Sequence, residues 1–119
     1  MSTFISWVEI PATDFDRAVN FYNMAFGLDL EKNDYGTEKM ACFPGGEGAI
    51  SLAPDFKPSE NGVLVSLNTG AKLEQALQAI EKSGGQIVQP KTKIEAEGRG
   101  YFATFIDSEG NKVGLYGEV

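Results

Sequence analysis

The 119-residue chain contains no histidine. That absence removes the usual general base near neutral pH and the commonest metal ligand. It also excludes a Ser–His or Cys–His nucleophile pair. Cys42 is the only cysteine, so no disulfide can form within the chain, and a reducing, cytosolic compartment is expected. Positive charge is scarce: 10 Lys and Arg stand against 17 Asp and Glu, for a net charge of −7. The only arginines are Arg17 and Arg99, and the lysines do not cluster. Nucleic acid and anionic membrane surfaces, which attract basic patches, are not expected partners. No apolar run approaches the ~20 residues needed to span a bilayer. The opening "MSTFISWVEI" lacks a basic n-region and a long apolar h-region, so no signal peptide is expected.

What remains suits one domain with one modest core. A strand is expected near 3–10, where Ser6, Val8 and Ile10 share one face and Trp7 and Glu9 the other. Pro11 cannot donate to a ladder and ends it. Thr13 or Asp14 then caps a helix of about 14–25, with Phe15, Ala18, Val19, Tyr22 and Phe26 on one apolar stripe. Gly27 stops it at the C′ position. Strands follow near 28–33, 38–43 and 49–53, separated by "NDYG" and "PGGEG". After the linker "APDFKPSENG", near 54–61, the order repeats: a strand at 62–68, a helix at 71–83, and strands at 86–89, 100–106 and 112–117.

The repetition extends to individual residues. Sliding the chain on itself pairs Phe15 with Leu73, Ala18 with Ala76, Val19 with Leu77 and Gly27 with Gly85. Further along, Phe43 pairs with Phe105, Ile50 with Val113, and Leu52 with Leu115. The offset changes fall in loops, where insertions are tolerated. An internal duplication over residues 1–55 and 60–119 follows. The expected fold is α+β: two tandem βαβββ modules forming a curved mixed sheet around a cavity, with the helices on the outer side.

These units carry recognisable motifs. "EIPATDFDRAVNFYNMAFGL", "GGQIVQPKTKI" and "GYFATFIDSEGNKVGLY" resemble the vicinal oxygen chelate superfamily, which includes glyoxalases, extradiol dioxygenases and bleomycin- and fosfomycin-resistance proteins. The branch most resembled is the one related to lactoylglutathione lyase. Its usual closing motif is Asp-Pro-x-Gly-Asn, and here Ser108 replaces the proline. The resemblance implies ligands for one divalent ion on the first, fourth, fifth and eighth strands. Carried over, those positions fall on Trp7, near Ser51, on Leu64 or Val65, and on Gly114. Divalent metals need imidazole, thiolate or carboxylate donors. No metal, no other cofactor and no catalytic residue is therefore assigned.

In the duplicated register Glu9 pairs with Ser66, Pro11 with Asn68, and Ser51 with Gly114. A partly polar face results, and Trp7, Glu9, Ser51, Ser66, Asn68, Gly114 and Tyr116 are the candidate ligand-binding residues. Trp7 is a stacking platform or fills the volume a metal would take. Gly114 leaves room for a ligand or marks a strand bend. Glu9 is the best lone candidate for proton transfer; the alternative is a structural pairing with Lys112. Arg99 could clamp an anion or be a solvated loop charge. Cys42 is expected to be a small buried residue. The leading functional reading is a metal-free small-molecule binding protein, with a second copy of the chain as its expected partner. The alternatives are a glyoxalase-type isomerase or lyase using a relocated metal site at Glu9, Glu38 or another carboxylate, and a dimeric interaction module.

Overall fold

The computed structural model describes residues 4–119. Thr3, where the first strand was expected to begin, lies outside them. The elements follow as β1 (Val8–Pro11), α1 (Phe15–Phe26), β2 (Lys32–Asp34), β3 (Lys39–Cys42) and β4 (Gly48–Leu52), then β5 (Ser66–Asn68), α2 (Leu73–Lys82), β6 (Gln86–Lys93), β7 (Tyr101–Ile106) and β8 (Lys112–Gly117). Each module repeats one topology. The strands order β1-β4-β3-β2 in the first sheet and β5-β8-β7-β6 in the second, with β1–β4 and β5–β8 parallel. The α+β class and the tandem modules are as expected. The strands form two four-stranded sheets rather than one continuous curved sheet.

Local signals set the helix ends. Asp14 caps α1 by accepting from the Arg17 N–H at 3.1 Å, and Gly27 stops it in the left-handed region at φ 65°. The stripe Phe15, Ala18, Val19 and Tyr22 is buried, as its spacing requires. The second helix ends differently. Gly84, not Gly85, holds the positive φ there. Gly85 instead permits close approach, since a Cβ on it would stand 2.6 Å from Ile80 and 2.9 Å from Phe21.

β1 is shorter than expected and includes Pro11 rather than ending before it, and β2 covers Lys32–Asp34 rather than 28–33. Two other strand lengths depart from expectation for visible reasons. β6 runs through Pro90 because it is an edge strand, where a missing donor is tolerated, and its register slips on both sides of Gln89. β5 is only three residues long because the Lys112 N–H donates to the Ser59 carbonyl of the linker at 3.2 Å. The strand's expected start thereby loses its partner.

One core joins the modules. Phe21 and Phe26 of α1 lie 6.2 and 6.1 Å from Phe105 on β7, while Tyr22 lies 6.3 Å from Phe43, beside β3. Helix α1 thus touches the inner faces of both sheets, and α2 packs against it. Ile10, Ala41 and Ile50 point inward from the first sheet; Ala103, Phe105, Val113 and Leu115 do so from the second. The reverse face of each sheet looks away from this core.

A polar latch closes the module seam. The Tyr22 hydroxyl, almost fully buried, donates to Asp107 Oδ2 at 2.7 Å. Burial and the neighbouring Asp107 carboxylate push this phenol well above its ordinary pKa. Asn111 Nδ2 donates to Asp107 Oδ2 and to the Pro11 carbonyl, and Asn111 Oδ1 accepts from the Ser59 N–H. Glu109 Oε1 accepts from the N–H groups of Thr13 and Asp14 at 2.8 and 2.7 Å, so a carboxylate of the second module caps the helix of the first. No helix among the described residues is long and apolar enough to cross a membrane.

Candidate functional site

Period-two alternation carries the predicted residues to the two open sheet faces. On the first sheet, Glu9, Ala49 and Cys42 stand in one cross-strand row, and Pro11, Ser51, Met40 and Asn33 in the next. Trp7 continues the phase of Glu9 and is 40% exposed. On the second sheet the rows are Ser66, Gly114, Thr104 and Gln89, then Asn68, Tyr116, Phe102 and Thr92. The seven predicted residues therefore form two groups. Trp7, Glu9 and Ser51 share one open face, and Ser66, Asn68, Gly114 and Tyr116 share the other. The core lies between the two faces.

The register corrects three expected equivalences at once: Ser51 with Gly114, Ile50 with Val113 and Leu52 with Leu115. Six residues separate Cys42 from its partner Ala49, but nine separate Thr104 from Gly114. The β7–β8 connection is the longer, so Gly114 corresponds to Ala49, and Ser51 corresponds to Tyr116. The same pairing sets Ile50 opposite Ala41 and Leu115 opposite Ala103, all four in the core.

The individual environments are specific. Ser51 and Thr104 are 0% and 7% exposed, and neither hydroxyl has a hydrogen-bond partner among the described residues. An enclosed polar group without a partner is costly. Gly114 does not leave an empty slot, because a Cβ there would stand 2.5 Å from Ser66 Oγ. The Tyr116 hydroxyl accepts from the Gly100 N–H at 3.1 Å. Glu9 is exposed and forms no ion pair with Lys112; the ion pairs among the described residues are Arg17–Glu109 and Lys32–Asp16. Cys42 is exposed rather than buried, because it falls in the open phase of β3. Arg99 is exposed in the β6–β7 loop, where its carbonyl accepts from Lys93 Nζ. Thr104 and Phe102 were not predicted, since β7 is apolar in both phases and its sequence does not say which phase is open.

A groove of about 780 Å³ runs along the module seam. Its walls are Val8 of β1, Phe26 of α1, residues 65–69 around β5, and Ala76 of α2. The two edge strands thus border a common cleft.

Residues 4–115 match the family description Glyoxalase/Bleomycin resistance protein/Dioxygenase superfamily. The chain belongs to this superfamily. It is 31% identical over 116 residues to a glyoxylase-like domain-containing protein of Didymella fabae, covering 90% of this chain and 88% of that protein. It spans only 44% of a Mycobacterium tuberculosis relative that carries the name "Putative glyoxylase CFP32", at 30% identity and over 93% of its own length. The fold is shared with the glyoxalase/bleomycin resistance protein of Albidiferax ferrireducens T118, at TM-score 0.73 and 16% identity over 98% and 100% of the two chains. It is shared too with TnmS3, an antibiotic binding protein of Streptomyces sp. CB03234, at TM-score 0.66 and 19% identity over 99% and 98%.

The superfamily's metal positions can now be tested against the residues present. An indole, an enclosed hydroxyl, an isobutyl group and a glycine stand at Trp7, Ser51, Leu64 and Gly114. With Val65 in place of Leu64 the set is no better. These groups do not fit a divalent ion. The two carboxylates named for a relocated site do not converge either. Glu38, just before β3, lies four residues along the chain from Cys42, about 13 Å, and Cys42 lies two strands from Glu9, about 10 Å. Among the described residues no three Cys, Asp or Glu side chains gather as a metal cage requires. The closing motif is accounted for by the latch: Ser108, in place of the usual proline, donates to Glu109 Oε2 at 2.9 Å.

Proposed function

We propose that this superfamily member binds a small organic molecule on its open sheet faces, without a divalent ion at the superfamily's metal positions. The carrying observation is the residue set at those positions. Trp7 offers aromatic contact area, and Gly114 no donor, where metal chemistry needs charged or imidazole donors. The likeness to TnmS3, an antibiotic binding protein, supports a binding role on this fold.

The reading includes a second copy of the chain. β1 and β5 are end strands of their sheets and both border the seam groove. Around them Phe4, Trp7, Met24, Val63 and Leu64 are 100%, 40%, 65%, 90% and 51% exposed. Open strand edges flanked by apolar side chains are templates for pairing. Joining β1 of one copy to β5 of the other sets Trp7 and Glu9 beside Ser66 and Asn68 on one continuous face.

A thermal-shift screen with a small-molecule library on wild type and Trp7→Ala tests binding. Saturable stabilisation that weakens in the variant supports the reading; no shift from any compound contradicts it. Sedimentation equilibrium of wild type and a Val63→Lys/Leu64→Lys double variant tests the pairing. The wild type is expected as a dimer and the variant as a monomer; a monomeric wild type contradicts it.

A further inference from the structure

The groove at the module seam combines three features that describe one ligand. The first is its lining. Met24 and Phe26 of α1, Phe43 after β3, Leu67 of β5 and Ala76 of α2 give it apolar walls. The second is a free strand edge on its margin. In the parallel pairing of β5 with β8, the Val65 carbonyl accepts from the Gly114 N–H, and the Thr69 N–H donates to the Tyr116 carbonyl. Alternation along the strand then turns the N–H and C=O groups of Ser66 and Asn68 away from β8. β5 ends its sheet, and none of these four backbone groups has a partner among the described residues. The third is charge. Glu47 and Lys72, one from each module, are the charged residues among those that line the groove. Both are exposed, and neither side chain has an ion-pair or hydrogen-bond partner among the described residues.

Each feature asks for something different. Unpaired edge groups take an extended chain by strand addition. Apolar walls beside the edge take every second side chain of that strand. One carboxylate and one ammonium in the same groove match a ligand that carries both charges. A fatty acid would leave Glu47 and the strand edge unmatched. A flat aromatic ring would leave the edge and both charges unmatched. Residues 65–69 offer about 16 Å of edge, room for about four residues. Lys72 follows the end of β5, so a carboxylate held there sets the added strand parallel to β5.

We infer that the seam groove binds a short apolar peptide with free termini, added to β5 as a parallel strand, with its carboxylate at Lys72 and its ammonium at Glu47. This site is separate from the open sheet faces. In the pairing proposed above, β1 of a second copy uses the same edge, so the peptide and the partner exclude one another.

The test is an amide-resolved NMR titration of the full chain with the tripeptides Ala-Phe-Leu and Ala-Leu-Val. Their acetylated and amidated forms lack the two charges, and decanoate is an apolar carboxylate without a peptide backbone. Wild type and the Val63→Lys/Leu64→Lys variant are both titrated, so that pairing between copies does not mask the edge. At least one free peptide is expected to bind saturably, to shift the amides of Ser66 and Asn68, and to slow their hydrogen exchange. Blocking both termini should weaken binding about tenfold. Lys72→Ala and Glu47→Ala should each weaken it about two- to fivefold, the effect of an exposed charge pair. The same spectra report whether each variant is folded. The inference is overturned if no peptide moves Ser66 and Asn68 in either protein, or if blocked peptides bind as tightly as free ones. Decanoate binding in the groove without peptide binding would overturn it too. Each of these failures leaves the sheet-face reading to its own screen at Trp7.

Discussion

Replacing Glu109 by Gln tests the seam latch quantitatively. The Glu109 side chain is 1% exposed and accepts five hydrogen bonds: from the Thr13 and Asp14 N–H groups, from Arg17 Nε and Nη2, and from the Ser108 hydroxyl. Desolvation alone would raise its pKa. The hydrogen bonds from Arg17, Asp14, Ser108 and Thr13 outweigh it and lower the value from 4.5 to about 2. Taken whole, that depression corresponds to about 3 kcal/mol of stability. Arg17 is 53% exposed, and solvent screening brings the figure to about 2 kcal/mol. Gln keeps the shape and can still accept from the two N–H groups, but it loses the charge. Glu109→Gln should therefore lose about 2 kcal/mol at pH 7. The sign of the pH dependence follows from the depressed folded pKa. The contribution is complete above about pH 4.5 and is lost as pH falls through 2. Urea unfolding of both proteins across this range is the assay. The gap between them should drop to less than half by about pH 3. A gap under about 0.5 kcal/mol at pH 7, or one that does not shrink in acid, would refute the reasoning.

Four further substitutions probe the same account. Thr104→Val and Ser51→Ala each remove an enclosed, unpartnered hydroxyl, so each should stabilise the ligand-free chain by about 1 kcal/mol in urea unfolding; a loss of that size would mean the hydroxyls are satisfied. Tyr22→Phe deletes a buried hydrogen bond to a carboxylate and should cost about 1.5–3 kcal/mol; an unchanged midpoint would remove the latch from the stability account. Gly27→Ala meets no steric neighbour and should cost about 1 kcal/mol from its positive φ alone, read as a lower melting temperature.

The sequence was most informative where signals are local or duplicated. Asp14 and Gly27 announce the ends of α1 because a cap needs only its own turn. The tandem modules were visible because Phe15 with Leu73 and Phe43 with Phe105 repeat the same apolar steps. The register of β8 was hidden, because alternation is unchanged by a two-residue slide and the longer β7–β8 connection cannot be weighed from sequence. Cys42 and Thr104 were missed for a related reason: β3 and β7 have apolar residues in both phases, so composition does not mark the open one. The motif around Asp107 and Asn111 was legible as a family mark, but its role in tying Tyr22, Pro11 and Ser59 across the seam needed three-dimensional neighbours.

The central claim is that this superfamily member carries a ligand-binding face where others hold a metal ion. Its most direct test is metal analysis of the chain made without a histidine tag, incubated in turn with Ni, Co, Zn, Mn and Mg ions and then dialysed. The account predicts metal far below one ion per chain for every ion tried. One ion retained per chain, lost on replacing Glu9 or Glu38 by Ala, would contradict it and restore the glyoxalase-type reading.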